Sequence, residues 1–196
     1  TELESINIML AAIGEAPVNS LTGTLPVDVK LAQSTLTEVN KEVQSEGWSF
    51  NTEIDVTLTR DGSNHVSLGT DVIRVDPNTH DHTDIDAIQR GLKLYDRKNN
   101  KYEFTKDLIC TVVYFRTFEE IPEPARRYIT IKAARIFVDR LVSDDGLRTY
   151  TQQDEVRARA ILMETDLSNA DHNLLRGDPS LTSVFDTYNP SRALIR

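Results

Sequence analysis

Apolar residues recur with a three-four-three spacing in four stretches of the chain, and each set places one apolar stripe on a helix. Leu3, Ile6, Leu10 and Ile13 form the first, and Val29, Ala32, Leu36, Val39 and Val43 the second. A looser version runs through Ala125, Ile129, Ala133 and Ile136. The last is the longest, through Val156, Ala160, Met163, Leu167, Ala170 and Leu174. The punctuation agrees with this reading. Thr1-x-x-Glu4 has the form of a capping box and Gly14 stands where a helix stops. Pro26 suits the first turn of a second helix that runs to Gly47. Pro122 and Pro124 open a third helix over about Glu123–Leu141, and Asp144-Asp145-Gly146 breaks it. Thr151-x-x-Asp154 starts a fourth that carries on to about Leu174.

Between the helical pairs the period changes to two. Phe50, Thr52, Ile54, Val56 and Leu58 alternate with polar residues, which predicts a strand with one buried face. Asp61-Gly62 marks a turn. Val72, Ile73 and Val75 predict a short strand stopped by Pro77. Leu92–Tyr95 and Tyr102–Phe104 flank the polar run Asp96–Lys101 and read as a hairpin. Leu108–Phe118 has apolar residues on both faces and is expected to be the central strand.

The expected architecture is therefore α+β. Residues 1–47 and 119–174 make a body resembling a four-helix bundle, built from both ends of the chain, with a β-rich subdomain inserted at 48–118. Residues 175–196 are different. Gly177, Pro179 and Pro190 break any period, yet Leu181, Val184, Phe185, Tyr188, Leu194 and Ile195 are scattered among them. Three fates are open to such a segment: folding back on its own body, docking on another subunit or partner, or plain disorder.

Composition narrows the function. The chain has 196 residues, 39% of them hydrophobic and 27% charged, enough for an ordinary core and a covered surface. No run of about 18 apolar residues offers a membrane span, and the acidic opening Thr1-Glu2-Leu3-Glu4 is the wrong start for a secretory signal. Cys110 is alone, so no disulfide can form within the chain. Its strand-like setting predicts a buried, inert thiol. The net charge of −9 argues against tight binding of nucleic acid, whose phosphates need Lys and Arg.

Catalytic motifs are missing. No phosphate-binding Gly loop, Gly-x-Ser-x-Gly elbow, Cys-x-x-Cys pair or His-x-x-x-His spacing occurs. The cluster His80-Asp81-His82-Thr83-Asp84-Ile85-Asp86 carries enough ligands for a divalent metal. Lacking a fourth ligand or a Gly turn to shape a cage, it reads better as a hydrated loop. Arg126 and Arg127 stand at the start of the third helix, where cations oppose the helix dipole. They either form a salt bridge to another subunit or belong to a solvated face. Trp48, directly after Gly47, is expected to plug the core at the helix–strand junction. No catalytic, cofactor-binding or metal-ligating residue is assigned.

Several strings resemble a known family. Ile6-Asn7-Ile8-Met9-Leu10-Ala11-Ala12-Ile13-Gly14-Glu15-Ala16-Pro17-Val18-Asn19-Ser20-Leu21 is similar to the opening helix and loop of the tail tubular protein A family, the head–tail adaptors of short-tailed phages. Glu42–Asn51 resembles that family's junction between second helix and first strand, and Leu94-Tyr95-Asp96-Arg97 its hairpin. Ile121-Pro122-Glu123 with Arg127-Tyr128 and Lys132-Ala133 resembles its third helix, and Leu194-Ile195-Arg196 its close.

The resemblance implies a structural virion protein at the head–tail junction, assembled in the host cytoplasm. The resemblance also implies a ring of about twelve copies, an assembly built from head-to-tail contacts. The portal protein would lie above it and the nozzle (tail tubular protein B) below, with tail fibres attached around that junction. Genomic DNA would pass through the lumen without specific binding. The residues expected to contact other subunits or partners are Arg126, Arg127, Leu181, Phe185, Tyr188, Leu194, Ile195 and Arg196. Two other classes stand against this reading. One is a metal-dependent hydrolase using His80 and His82; the other is a monomeric host-binding module.

Overall fold

The computed structural model describes residues 1–78, 82–141 and 145–169. Over these residues the chain is α+β, with four helices and two small antiparallel sheets: α1 (Glu2–Ala12), α2 (Val27–Ser45), β1 (Thr52–Leu58), β2 (Val72–Pro77), β3 (Ala87–Arg90), β4 (Lys93–Asp96), β5 (Leu108–Tyr114), α3 (Glu123–Leu141) and α4 (Asp145–Asn169). The helix α1 opens on the capping box expected of Thr1 and Glu4. Gly14, just past its end, has φ +81°, a conformation glycine adopts without steric cost.

Helix α3 is the hub of the helical part and packs against α1, α2 and α4. The stripes on α1 and α2 are used as expected: Ile6 and Leu10, and all five of Val29, Ala32, Leu36, Val39 and Val43, are buried. They meet Ala125, Tyr128, Ile129, Ala133 and Phe137 of α3 in one apolar cluster that also takes in Trp48, Phe118 and Ile121. A second cluster (Val66, Leu94, Phe104, Leu108, Cys110 and Val112 among its members) fills the β-rich part. Ion pairs tie the helices along their edges, Lys132 to Glu42 at 3.0 Å and Arg140 to Glu38 at 2.9 Å.

The main sheet has the order β1–β5–β2, so β5 is central, as its two apolar faces imply. The alternation on β1 is only partly realised. A register shift between Glu53 and Val56 bulges the strand, with Asp55 at φ +58°, and turns Ile54 out to solvent. The expected hairpin differs as well. β4 pairs with β3, a strand the sequence reading missed, across the two-residue turn Gly91-Leu92, where Gly91 has φ +62°. Tyr102–Phe104 forms no strand, and Asp96 and Lys101 make an isolated bridge instead. Asp96 is the reason. Its buried carboxylate accepts hydrogen bonds from the backbone N–H of Lys98 (3.0 Å) and Asn99 (3.2 Å) and from Asn99 Nδ2 (2.6 Å), which closes the turn locally. Helix α4 also departs from expectation, starting at Asp145 rather than near Thr151.

The helical and β-rich parts are joined by two buried amides. Gln44 donates from Nε2 to the carbonyl of Arg116 (2.9 Å) and to Asn40 Oδ1 (2.8 Å), and its Oε1 accepts from the N–H of Arg116 (2.8 Å). Asn51 Nδ2 donates to the carbonyls of Gln44 (3.0 Å) and Tyr114 (2.9 Å), while its Oδ1 accepts from the N–H of Trp48 (2.8 Å). The indole of Trp48 donates to the Val43 carbonyl at 2.8 Å and closes the junction on its apolar side, as expected of a core plug. Gly47, at φ +82°, leaves room there; a Cβ at this position would lie 2.8 Å from Arg74 Nη2.

Replacing Gln44 with Leu should cost about 2–3 kcal/mol, because the N–H and carbonyl of Arg116 lose their partner in a buried setting; urea unfolding measures it. The second expectation concerns acid. Burial alone would raise the Asp96 carboxyl, but the hydrogen bonds from Asn99, Asp86 and Lys98 outweigh it and hold its pKa below 3.8. A depressed folded pKa contributes stability that is present at neutral pH and lost as the pH falls through it. Thermal unfolding between pH 6 and 2 should therefore show an acid-induced loss that Asp96→Asn lacks, the variant being less stable than the parent at pH 6.

Candidate functional site

No described residue carries a recognisable reaction chemistry. Cys110 is fully buried, and burial pushes its thiol up to about 12, so it is not a nucleophile. His82 is not in a hydrated loop as expected. It is buried, and its Nε2 accepts a hydrogen bond from the backbone N–H of Ile109 at 2.8 Å, which pins the segment before β3 onto the start of β5. Its Nδ1 has no partner among the described residues. His80, the other half of the proposed metal pair, lies outside the described residues. Within them, no three His, Cys, Asp or Glu side chains gather around a point where a metal would sit.

The informative surface is on α4. The stripe read from the sequence faces away from the core as far as it is described: Val156, Met163 and Leu167 are 66%, 47% and 60% exposed, and Ala160 is exposed with them, while Ala170 and Leu174 lie outside the described residues. The buried line of α4 is instead Ala158 and Leu162, at 3% and 1%. With 3.6 residues per turn these two lines lie on opposite sides of the helix. The sequence error has a physical cause. A helix can be held to its body by polar contacts, and periodicity alone then assigns the wrong side to the core.

Those polar contacts are specific. Arg159 reaches across to Glu46 with both terminal nitrogens (3.1 and 2.8 Å) and donates to the Tyr128 hydroxyl (3.0 Å). Its guanidinium lies 5.7 Å from the Tyr128 ring centre and 6.0 Å from that of Trp48. The Glu46 carboxylate, followed by the Tyr128 hydroxyl, raises the pKa of Arg159, which stays charged at any working pH. Asp166 Oδ1 accepts from both the N–H (2.8 Å) and the hydroxyl (2.6 Å) of Ser49. Arg135 of α3 pairs with Glu155. So α4 turns charged groups and two small or apolar residues inward and an apolar ridge outward.

On another side of α4 from this ridge, a groove of about 360 Å³ lies between α1, α3 and Asp154, with Ile8, Phe118 and Ile131 as its apolar lining and Glu4, Glu123, Arg126, Arg127 and Asp154 as its charged lining. Ile8 is itself 54% exposed. A smaller hollow of about 110 Å³ continues it past Ile161. The two arginines expected to meet other subunits are placed differently. Arg126 is held by its own chain, to Glu123 at 3.0 Å and the Glu119 carbonyl at 3.2 Å. Arg127 is exposed in the groove and makes no hydrogen bond or ion pair among the described residues. The other expected contacts (Leu181, Phe185, Tyr188, Leu194, Ile195 and Arg196) lie outside the described residues. Sequence reasoning missed Arg159, Glu155 and Asp166 as anchors; the only signal was their charge on a helix with an apolar stripe.

The described residues show an α+β chain with an outward apolar helix face, a surface of the kind that assembly uses. The family model for tail tubular protein matches residues 3–172 of the chain. The chain therefore belongs to the tail tubular protein family, the family its sequence resembles, and is a structural protein of a phage tail, placed in the virion with other tail components. No curated protein matches the chain significantly. No described helix is long and apolar enough to cross a membrane.

Replacing Arg159 with Met keeps the aliphatic stem but removes both polar partners. It should lower stability by about 1–2 kcal/mol, since the pair with Glu46 is partly open to water. Hydrogen exchange should show the loss concentrated in α4, with α1 and α2 retaining their protection.

Proposed function

We propose that the protein is the ring-forming head–tail adaptor of a short-tailed phage. It joins the portal to the tail nozzle, extends the DNA channel and carries out no catalysis. The observation that carries this reading is the family match over residues 3–172, which spans both helical pairs and the β-rich segment between them. The outward apolar face of α4 supports it, since a protein that worked alone would gain nothing from a ridge of Val156, Met163 and Leu167 in water.

In this role the helical body, residues 1–47 and 119–174, forms the ring, and 48–118 is the inserted β-rich unit. Residues 175–196 dock on a neighbour or on the portal through Leu181, Phe185, Tyr188, Leu194, Ile195 and Arg196. About twelve copies surround the channel in a head-to-tail ring, the closed form that heterologous contacts generate. The nozzle is received below, and fibres, where present, attach around that junction. A net charge of −9 on each copy gives a channel wall that repels DNA and lets it slide. Screening confines this effect to about 8–10 Å from the wall in ordinary salt.

Native mass spectrometry of the full chain, alone and mixed with portal rings of the same phage, tests the reading. Portal rings gaining about twelve copies, the number expected of a closed ring on that template, establish the adaptor role. A chain that stays monomeric and ignores the portal refutes it. A chain cut after Leu175 should keep its helical circular dichroism but load portals less completely; equal loading would remove the tail from the account.

A further inference from the structure

We infer that the apolar ridge of α4 inserts into the α1–α3 groove of a second copy, with Glu164 of one chain paired to Arg127 of the other. The inference rests on the adaptor reading above and gives it a contact. Three observations carry it.

The first is the spacing. Val156, Ala160, Met163 and Leu167 follow one another by four, three and four residues, the repeat of a coiled-coil seam, and all four face outward. Such a seam fits between the side chains of other helices and has no use in water. The second is the shape available. The groove over Ile131, walled by Ile8 and Phe118, lies between helices, so it offers a cradle of the kind a ridged helix fills. Both surfaces belong to every copy.

The third is charge. Glu164 adjoins Met163 at the edge of the ridge, is exposed, and has no hydrogen bond or ion pair among the described residues. Arg127 stands at the edge of the groove in the same condition. Among the described residues each lacks a partner that the other would supply. Opposite charges bordering an apolar contact set its register and reject misaligned partners.

The ridge and the groove are different surfaces, so the contact is head-to-tail. Each copy offers a ridge to one neighbour and a groove to the other, and the pattern propagates until it closes.

The test uses the full chain, loading onto portal rings by native mass spectrometry, and a charge swap. Arg127→Glu and Glu164→Arg should each weaken loading about 5- to 10-fold, as loss of one partly desolvated pair predicts. The double variant should return to within about twofold of the parent, because the pair is reversed rather than lost. Met163→Asp with Leu167→Asp should abolish loading while the free chain still folds with its helical circular dichroism, since both residues are exposed in the single chain. Charge variants that load normally, or a double variant that does not recover, would overturn the pairing. Ridge variants that load normally would show that something other than a second copy covers α4. Failure of the parent chain to load at all would refute the adaptor reading itself, a result distinct from the other two.

Discussion

Two buried side-chain amides hold the helical and β-rich parts of this protein in one arrangement. Gln44 is completely enclosed at the end of α2, and its amide satisfies both the N–H and the carbonyl of Arg116 just beyond β5. Asn51, just before β1, donates from its side-chain amide to the carbonyls of Tyr114 and Gln44, and its backbone carbonyl accepts from the Tyr114 N–H. Buried backbone groups without partners are costly, so the chain cannot slide α2 along the sheet without exposing that cost. The orientation of everything that follows β5, including α3, is set from this point.

Helix α4 depends on the same junction. Arg159 holds Glu46, the residue after α2, and lies over the rings of Trp48 and Tyr128, while Asp166 caps the N–H of Ser49. These contacts attach α4 by charge and geometry, with Ala158 and Leu162 its only buried side chains among the described residues. The apolar stripe is thereby left free for another surface. A helix attached by its apolar stripe would have been a stabler monomer and a poorer building block, since assembly needs apolar area that folding has not already consumed.

Much of the fold is legible along the chain because local periodicity and punctuation agree. The capping box at Thr1, the φ-positive stop at Gly14, the five buried positions of α2 and the central placing of β5 follow from pattern alone. The expectations that failed did so where a single side chain overrode a pattern. Asp96 closed its own turn and left β4 to pair with β3; the bulge at Asp55 turned Ile54 outward; His82 went into the interior to accept a bond from Ile109. None of these residues changes the hydrophobic period, so none announces itself.

What the sequence determined by itself is the set of helices, the two-period middle and, through strings such as Ile6–Leu21 and Glu42–Asn51, the tail tubular family. A stripe of apolar residues shows that a helix has a face to bury, because its geometry is local. It does not say against what. Only the tertiary structure decided that α2 spends its stripe on the core while α4 keeps its own outside. That choice rests on Glu46, Trp48, Tyr128 and Ser49, residues more than thirty positions from Arg159 or Asp166 and brought near them only when the chain folds.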